Sequence, residues 1–308
     1  MNSWPELSYQ LLKPTLQTMQ LWTQIVGKIR LRQMPWINHS WHVTLYVSAA
    51  GLSTGSIPYE RGIFQIDIDI IRSRVLINTS EAHTATVDLY PRSVASFYEE
   101  LMQKLGQLNI SVAIYPRPNE LPDTTPFAED HAQRVYDPGQ MLKYWQALVK
   151  AHVLFTRFRA GFTGKVSPVH FFWGAFDLAV SRFSGRKAPL YQGSALHIPA
   201  EVMQESYSHE ESSCGFWPGS DALPYPAFYS YCYPVHEGFD KQPIEPRDAF
   251  FSEELGEYLL PYQAVQRAAD PDALLLSFLQ STFDAAAAVG HWNQQLECDL
   301  TRFQRHSS

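Results

Sequence analysis

Charge is scarce in this chain of 308 residues: Asp, Glu, Lys and Arg make up only 18%, against about 25% in an average soluble domain. The 31 acidic and 24 basic side chains give a net charge of −7 with no long run of either sign. That excludes the basic surface a nucleic-acid binder needs. Cysteine is scarcer still. Cys214, Cys232 and Cys298 form no Cys-x-x-Cys pair, which excludes a disulfide scaffold or zinc ribbon and points to a reducing cytoplasm. Long apolar runs are also missing. The uncharged stretch from Ala222 to Val235 holds three prolines and cannot be a membrane helix. MNSWPELSYQLLKP lacks the basic and apolar regions of a secretory leader, so the expectation is a cytoplasmic protein off the membrane. No Gly-x-Gly-x-x-Gly, Walker A, His-Glu-x-x-His or Gly-x-Ser-x-Gly motif occurs, which removes the signatures of dinucleotide, P-loop, zincin and α/β-hydrolase chemistry.

Aromatic residues are plentiful: 8 Trp, 16 Tyr and 18 Phe, or 14% of the chain. Length suffices to bury a large core without a disulfide or metal. After Pro14, with Thr15 as N-cap, Leu16, Met19, Trp22, Val26 and Ile29 recur at helical spacing, and the helix should end before Pro35. Trp41–Ala49 and Ile63–Ile71 read as strands, followed by RVLINTS and HTATVDL, an antiparallel meander. Ser93 caps a helix striped by Val94, Phe97, Leu101 and Leu105, and 110–115 reads as one more strand. Five prolines between 116 and 138 mark a crossing segment. Asp137-Pro138 starts a helix that stops near Gly161. Val169–Phe183 reads as one long strand with a bulge at Gly174. Two β segments follow, SYSHEESSCGF and AFYSYCY, then EYLLPY and a helix from Asp270-Pro271 to about Val289. The expected fold is α+β, with two similar αββββα halves at 1–115 and 138–308 joined by 116–137, consistent with a tandem duplication or with a generic α+β order. Lys28 and Lys165, each after a glycine, read as partners of helix C-terminal dipoles.

The phrases LWTQIVGKIRL, NHSWHVTLYVSAAGL, SPVHFFWGAFDLAVSRFSGR, YSHEESSCGFWPGSDALPYPAFYSYCYP and GEYLLPY carry a resemblance across nearly the whole chain. The sequence resembles a family of bacterial proteins of about this length classed as a conserved domain of unknown function. The resemblance implies a bacterial source and a complete chain. It brings no activity, cofactor or catalytic residue.

The candidate chemistry centres on His170, Asp177, Arg182 and Arg186 with His209, Glu210 and Glu211. A histidine beside a carboxylate is the common acid–base arrangement, the carboxylate fixing the ring tautomer. A bulge at Gly174 would bring His170 and Asp177 to one face, and His209, Glu211, Tyr207 and Ser213 alternate onto one face of their strand. Arg182 and Arg186 suit a carboxylate or phosphate. The alternative is a set of buried structural residues and surface ion pairs. His42, His170 and His209, with Glu210 or Glu211, form a second candidate set, for a metal, although none has ligand spacing. His42-Val43-Thr44 looks like half of a two-histidine phosphoesterase, but Phe171-Phe172 after His170 supplies no hydroxyl. Trp173 and the aromatic segment from Phe216 to Tyr233, with Trp217 and Tyr229 in it, read either as pocket walls for a small-molecule ligand or as core cover. Three functions follow: an enzyme on a small organic molecule, acting by acid–base or metal-assisted chemistry; a non-catalytic binder or sensor; and an interaction module exposing Trp217.

Overall fold

The computed structural model describes residues 3–298; Met1, Asn2 and residues 299–308, the end of the second expected half, lie outside the described residues. Helix α1 (Tyr9–Gln33) begins before the expected Thr15 cap and carries Pro14 inside it. Burial of Tyr9 and Leu12 outweighs the cost of the proline, since packing rather than propensity decides most helices. It ends before Pro35, as expected.

The first sheet comprises β1 (Tyr46–Val47), β2 (Gly51–Ser53), β3 (Ile57–Tyr59), β4 (Gly62–Asp69), β5 (Arg74–Thr79) and β6 (Thr84–Asp88). The strand order is β1-β2-β4-β5-β6, with β3 also beside β4, all antiparallel. The meander β4–β6 is as expected, with Ile66, Ile68 and Ile70 buried. Trp41–Ala49 is not. Residues 41–43 form a turn, entered through His39 and Ser40 at φ 57° and 56°, a left-handed conformation that side chains other than glycine adopt at a cost. Helix α2 (Val94–Gln107) is capped by Ser93, whose Oγ accepts the Ser96 N–H at 3.2 Å. Residues 110–115 form no strand; Val112 and Ile114 pack on the core without a strand partner. The proline-rich segment has a single 3-10 turn, Phe127–Glu129.

Helix α3 (Pro138–Ala160) follows its signals, with Asp137 Oδ1 accepting the N–H groups of Gly139 and Gln140 at 2.8 and 3.1 Å. Asp137→Ala is expected to cost about 1 kcal/mol, read from urea unfolding midpoints; an unchanged midpoint contradicts the cap. The second sheet contains β7 (His170–Phe172), β8 (Asp177–Lys187), β9 (His209–Trp217), β10 (Ala227–Tyr233), β11 (Phe250–Ser252) and β12 (Glu257–Pro261), antiparallel in the order β11-β12-β10-β9-β8-β7. Short α4 (Ala200–Ser206), α5 (Tyr262–Arg267) and α6 (Pro271–Val289) complete the helices. The expected single strand 169–183 is a hairpin instead, turned by residues 173–176 with Phe176 at φ 63°. Gly174 serves another purpose: a Cβ there would overlap the Glu120 carboxylate.

Among the described residues the fold is therefore α+β, six helices and two six-stranded antiparallel sheets. The sheets meet where Leu45 and Phe171 exchange backbone hydrogen bonds of 2.9 and 2.7 Å. Helix α1 packs on both α2 and α3, and one hydrophobic cluster runs through both halves. None of the described helices is long and apolar enough to cross a membrane.

Candidate functional site

The two faces of the second sheet differ in kind. Alternation along β8 to β10 places Leu178, Val180, Cys214, Phe216 and Phe228 on one face, all buried. The opposite face carries His170, Asp177, Ser181, Phe183, Glu211, Ser213, Tyr229, Tyr231 and Tyr233, paired across strands as His170–Ala179, Phe183–Glu211, Ser181–Ser213 and Tyr231–Ser213. A strap of residues 188–208, including α4, covers this second face. Tyr191 in the strap stacks on Tyr207 with centroids 4.3 Å apart, and the Tyr233 hydroxyl donates to the Pro189 carbonyl at 2.9 Å. The strap is tied to the crossing segment by Glu120 N–H to the Leu196 carbonyl at 2.9 Å and by Asn119 to His197.

At one end of the face, Lys165 Nζ lies 2.6 Å from His39 Nε2. The other ring nitrogen of His39 is 2.7 Å from the Ser206 carbonyl, which can only accept. His39 is thus protonated at Nδ1, and its Nε2 accepts from Lys165. Glu205 in α4 accepts the His39 backbone N–H at 2.9 and 3.0 Å. Phe183 and Trp41 lie 5.0 and 5.5 Å from the Lys165 nitrogen, and the His209 ring is 5.6 Å from that of His39. Burial lowers the pKa of Lys165, of His39 and of His209. Beside them Glu211 is buried and ion-pairs with no described residue. Burial pushes its carboxyl up to about 8 against the opposing pull of Lys165, so it is mostly protonated at neutral pH.

At the other end, the Tyr229 hydroxyl donates to Asp177 Oδ2, over a Gly215 whose absent Cβ makes room for the phenol. Burial raises Asp177 to about 6 and Glu257, on β12, to about 7. Glu120 enters from the crossing segment at φ 58° and is also raised to about 7 by burial. Gln20, Gln24 and Lys28 form a polar ladder on α1 at four-residue spacing. Gln24 pairs with the Asn119 backbone at 2.7 and 2.8 Å, Lys28 donates to the Asn119 side chain, and Gln20 donates to the Gly174 carbonyl at 2.6 Å. Burial lowers Lys28 to about 8. Between the two ends lie Tyr207 and Tyr231, their hydroxyls 3.3 Å apart, with Tyr231 stacked on Tyr229.

The expected residues divide accordingly. His170, Asp177, Tyr207, His209, Glu211 and Tyr229 share the tyrosine face. His170 and Asp177 do so through the hairpin rather than a bulge, with no contact between them. His170 is neutral, burial pushing its pKa down to about 3. Glu210 and Arg186 do not belong to this face: they form an ion pair of 2.6 Å, and Arg186 also binds the Gly290 and His291 carbonyls at the end of α6. Arg182 points to the helix side, fully buried, over the Phe158 ring and donating to the Phe158 carbonyl at the end of α3. The odd spacing from Asp177 to Arg182 within β8 already places the two on opposite faces. Arg182→Met is expected to leave stability within about 1 kcal/mol, since a well-packed apolar side chain replaces a buried cation with little loss. An anion clamp would instead lose its ligand on this change, which calorimetry detects.

His42 bonds its own loop at the Ile37 carbonyl, 3.2 Å away, and packs on Trp36. Among the described residues no three His, Cys, Asp or Glu side chains are arranged to hold a metal ion, so the three-histidine set does not converge. Trp173 wedges against Gly27 and donates to the Val43 carbonyl at 2.8 Å. Trp217 is half-buried at the end of β9. Neither lysine is a helix-end partner: α1 continues past Lys28, and Lys165 faces His39. Sequence reasoning missed His39, Lys165, Glu120 and Glu257 as parts of the site; only the Gln20-Gln24-Lys28 ladder on an apolar helix signalled the site locally.

No curated protein and no solved structure matches the chain. A family model described as a family of unknown function, DUF5996, matches residues 4–298, and the chain belongs to that family.

Proposed function

We propose that the protein is a cytoplasmic bacterial enzyme that acts on a small organic molecule by acid–base chemistry on the tyrosine face of the second sheet. The observation that supports this most directly is the Lys165–His39 contact of 2.6 Å beside the buried Glu211 carboxyl, which burial holds protonated. Perturbed titratable groups gathered at one place are a recognised marker of catalytic sites. Glu211, protonated at neutral pH, is the general acid. Lys165, held by His39, is the base or the cation that meets developing negative charge. The tyrosines Tyr207, Tyr229 and Tyr231 form the walls, and the 188–208 strap excludes water. The repeated helix–sheet–helix order and the antiparallel seam at Leu45–Phe171 favour descent of the halves from a tandem duplication.

The test is to incubate the protein with a metabolite extract and follow every compound by mass spectrometry, beside Lys165→Met. A compound consumed by the native protein and spared by the variant supports the reading. No change with either protein overturns it. A compound bound but returned unaltered shows a binding protein instead.

A further inference from the structure

Lys165 has a setting unlike that of a solvated or ion-paired lysine. Its backbone carbonyl accepts the Phe183 N–H at 3.0 Å, and Phe183 pairs with Glu211 across β8 and β9. Val166 bridges Arg182 in the same antiparallel sense, so Lys165, Phe183 and Glu211 stand in one row on one face. No carboxylate lies within ion-pair distance of the Lys165 amine among the described residues. Its partner is instead His39 Nε2 at 2.6 Å, a nitrogen left with a lone pair because Nδ1 donates to the Ser206 carbonyl. That nitrogen can take a proton from the amine. The Phe183 and Trp41 rings, 5.0 and 5.5 Å from Nζ, suit a cation held at that atom. Lys165, Trp41 and His209 are each partly exposed, so the amine can be reached. Burial lowers the pKa of the amine, which raises the fraction with a free lone pair.

We propose that Lys165 is a nucleophile for a carbonyl substrate, an aldehyde or ketone, and joins it as a Schiff base. The inference rests on the reading of the tyrosine face as the substrate site and gives that site a substrate class. The Lys165 nitrogen attacks the carbonyl carbon, forming a C–N bond while the C=O π pair moves to oxygen. His39 Nε2 takes the proton that the nitrogen sheds, and the Glu211 carboxyl protonates the oxygen. The hydroxyl of this carbinolamine then leaves as water with the proton held by His39, and the nitrogen lone pair closes the C=N bond. One water is released and nothing is oxidised or reduced. The iminium charge is left facing the Phe183 and Trp41 rings, with the Glu211 carboxylate as its counter-charge.

Acetaldehyde in limiting amount, with sodium cyanoborohydride to reduce the iminium, fixes such an adduct as an ethyl group that peptide mass spectrometry locates. Lys165 is expected to be ethylated ahead of every other lysine. Lys28 is the internal control: burial lowers its pKa too, but its partner is the Asn119 side chain, which takes no proton. His39→Gln keeps an acceptor for the amine but no base. It should slow labelling at Lys165 roughly hundredfold, the lower end of what a general base contributes. Labelling spread over surface lysines, or equal at Lys28 and Lys165, overturns the Schiff base, as does an unchanged rate in His39→Gln. Lys165→Arg, like His39→Gln checked for folding by circular dichroism, separates this inference from the reading beneath it. Arginine keeps the charge but forms no imine, so loss of extract turnover in this variant supports the nucleophile. Turnover retained in it overturns the nucleophile alone and leaves Lys165 as a cation. Native protein that neither labels at Lys165 nor consumes any compound of the extract removes the catalytic reading as well.

Discussion

Replacing Glu211 with glutamine is expected to abolish turnover and, at the same time, to stabilise the protein in neutral and mildly alkaline solution. The carboxyl titrates at 4.5 when unfolded and about 8 when folded. A carboxyl raised on folding favours the native state in full below its ordinary pKa. Between the two values the unfolded chain releases the proton first, so native stability falls as pH rises and levels off above the folded value. Glutamine does not titrate and keeps the buried hydrogen-bonding shape. The advantage of the variant should therefore be near zero at pH 4.5, grow through this window and reach on the order of 4 kcal/mol at about pH 8. Urea unfolding at a series of pH values measures it. A difference that stays flat across the window would show that Glu211 is not held protonated, and retained turnover would remove it from the acid role. Active sites commonly hold groups that function needs and stability does not.

Gly215→Ala should be the most damaging small substitution near the site. A Cβ at this position would overlap the Tyr229 hydroxyl and sit 2.5 Å from the Leu178 carbonyl oxygen. The tyrosine must swing off Asp177 or the β8–β9 pair must part, and overpacking of this kind costs about 3 kcal/mol. Gly106 in α2 provides the contrast. A Cβ there meets nothing within 4 Å, and Gly106→Ala should stabilise by about 0.5–1 kcal/mol through helix propensity alone. Thermal unfolding of both variants checks the pair, with near-ultraviolet circular dichroism reporting displacement of Tyr229. Equal effects of the two alanines would mean that the space over Gly215 is not closely filled.

What could be read beforehand was what neighbouring residues determine among themselves. The Ser93 and Asp137 caps, the β4–β6 meander and the Asp270-Pro271 helix start depend on short-range chemistry, and they stand where expected. Alternation also placed Glu211 with His209 and Ser213, whereas Tyr207 caps α4 and reaches the face from the strap rather than along the strand. The hairpin at 173–176 could not be read because its left-handed residue is Phe176, where turn chemistry leads one to look for glycine or asparagine. Gly174 misled for a related reason: it accommodates a carboxylate from fifty-four positions earlier in the chain, not a bulge. Parity along β8 separates Arg182 from Asp177 without any tertiary information. His39, Lys165, Glu120 and Glu257 come from four segments that only tertiary folding brings together, and no local pattern announces them.

The packing of Trp4 bears on how the chain is made. Its ring meets Phe228 and Tyr262 edge-on at 5.9 and 5.6 Å, and the Tyr262 hydroxyl donates to the Pro5 carbonyl at 2.7 Å. During synthesis the Trp4 segment thus waits for residues more than two hundred positions later before its apolar surface is covered. At about 5–20 residues per second, that leaves Trp4 without its final partners for tens of seconds. In that interval the uncovered Trp4 ring is apolar surface of the kind that exposes a nascent chain to aggregation.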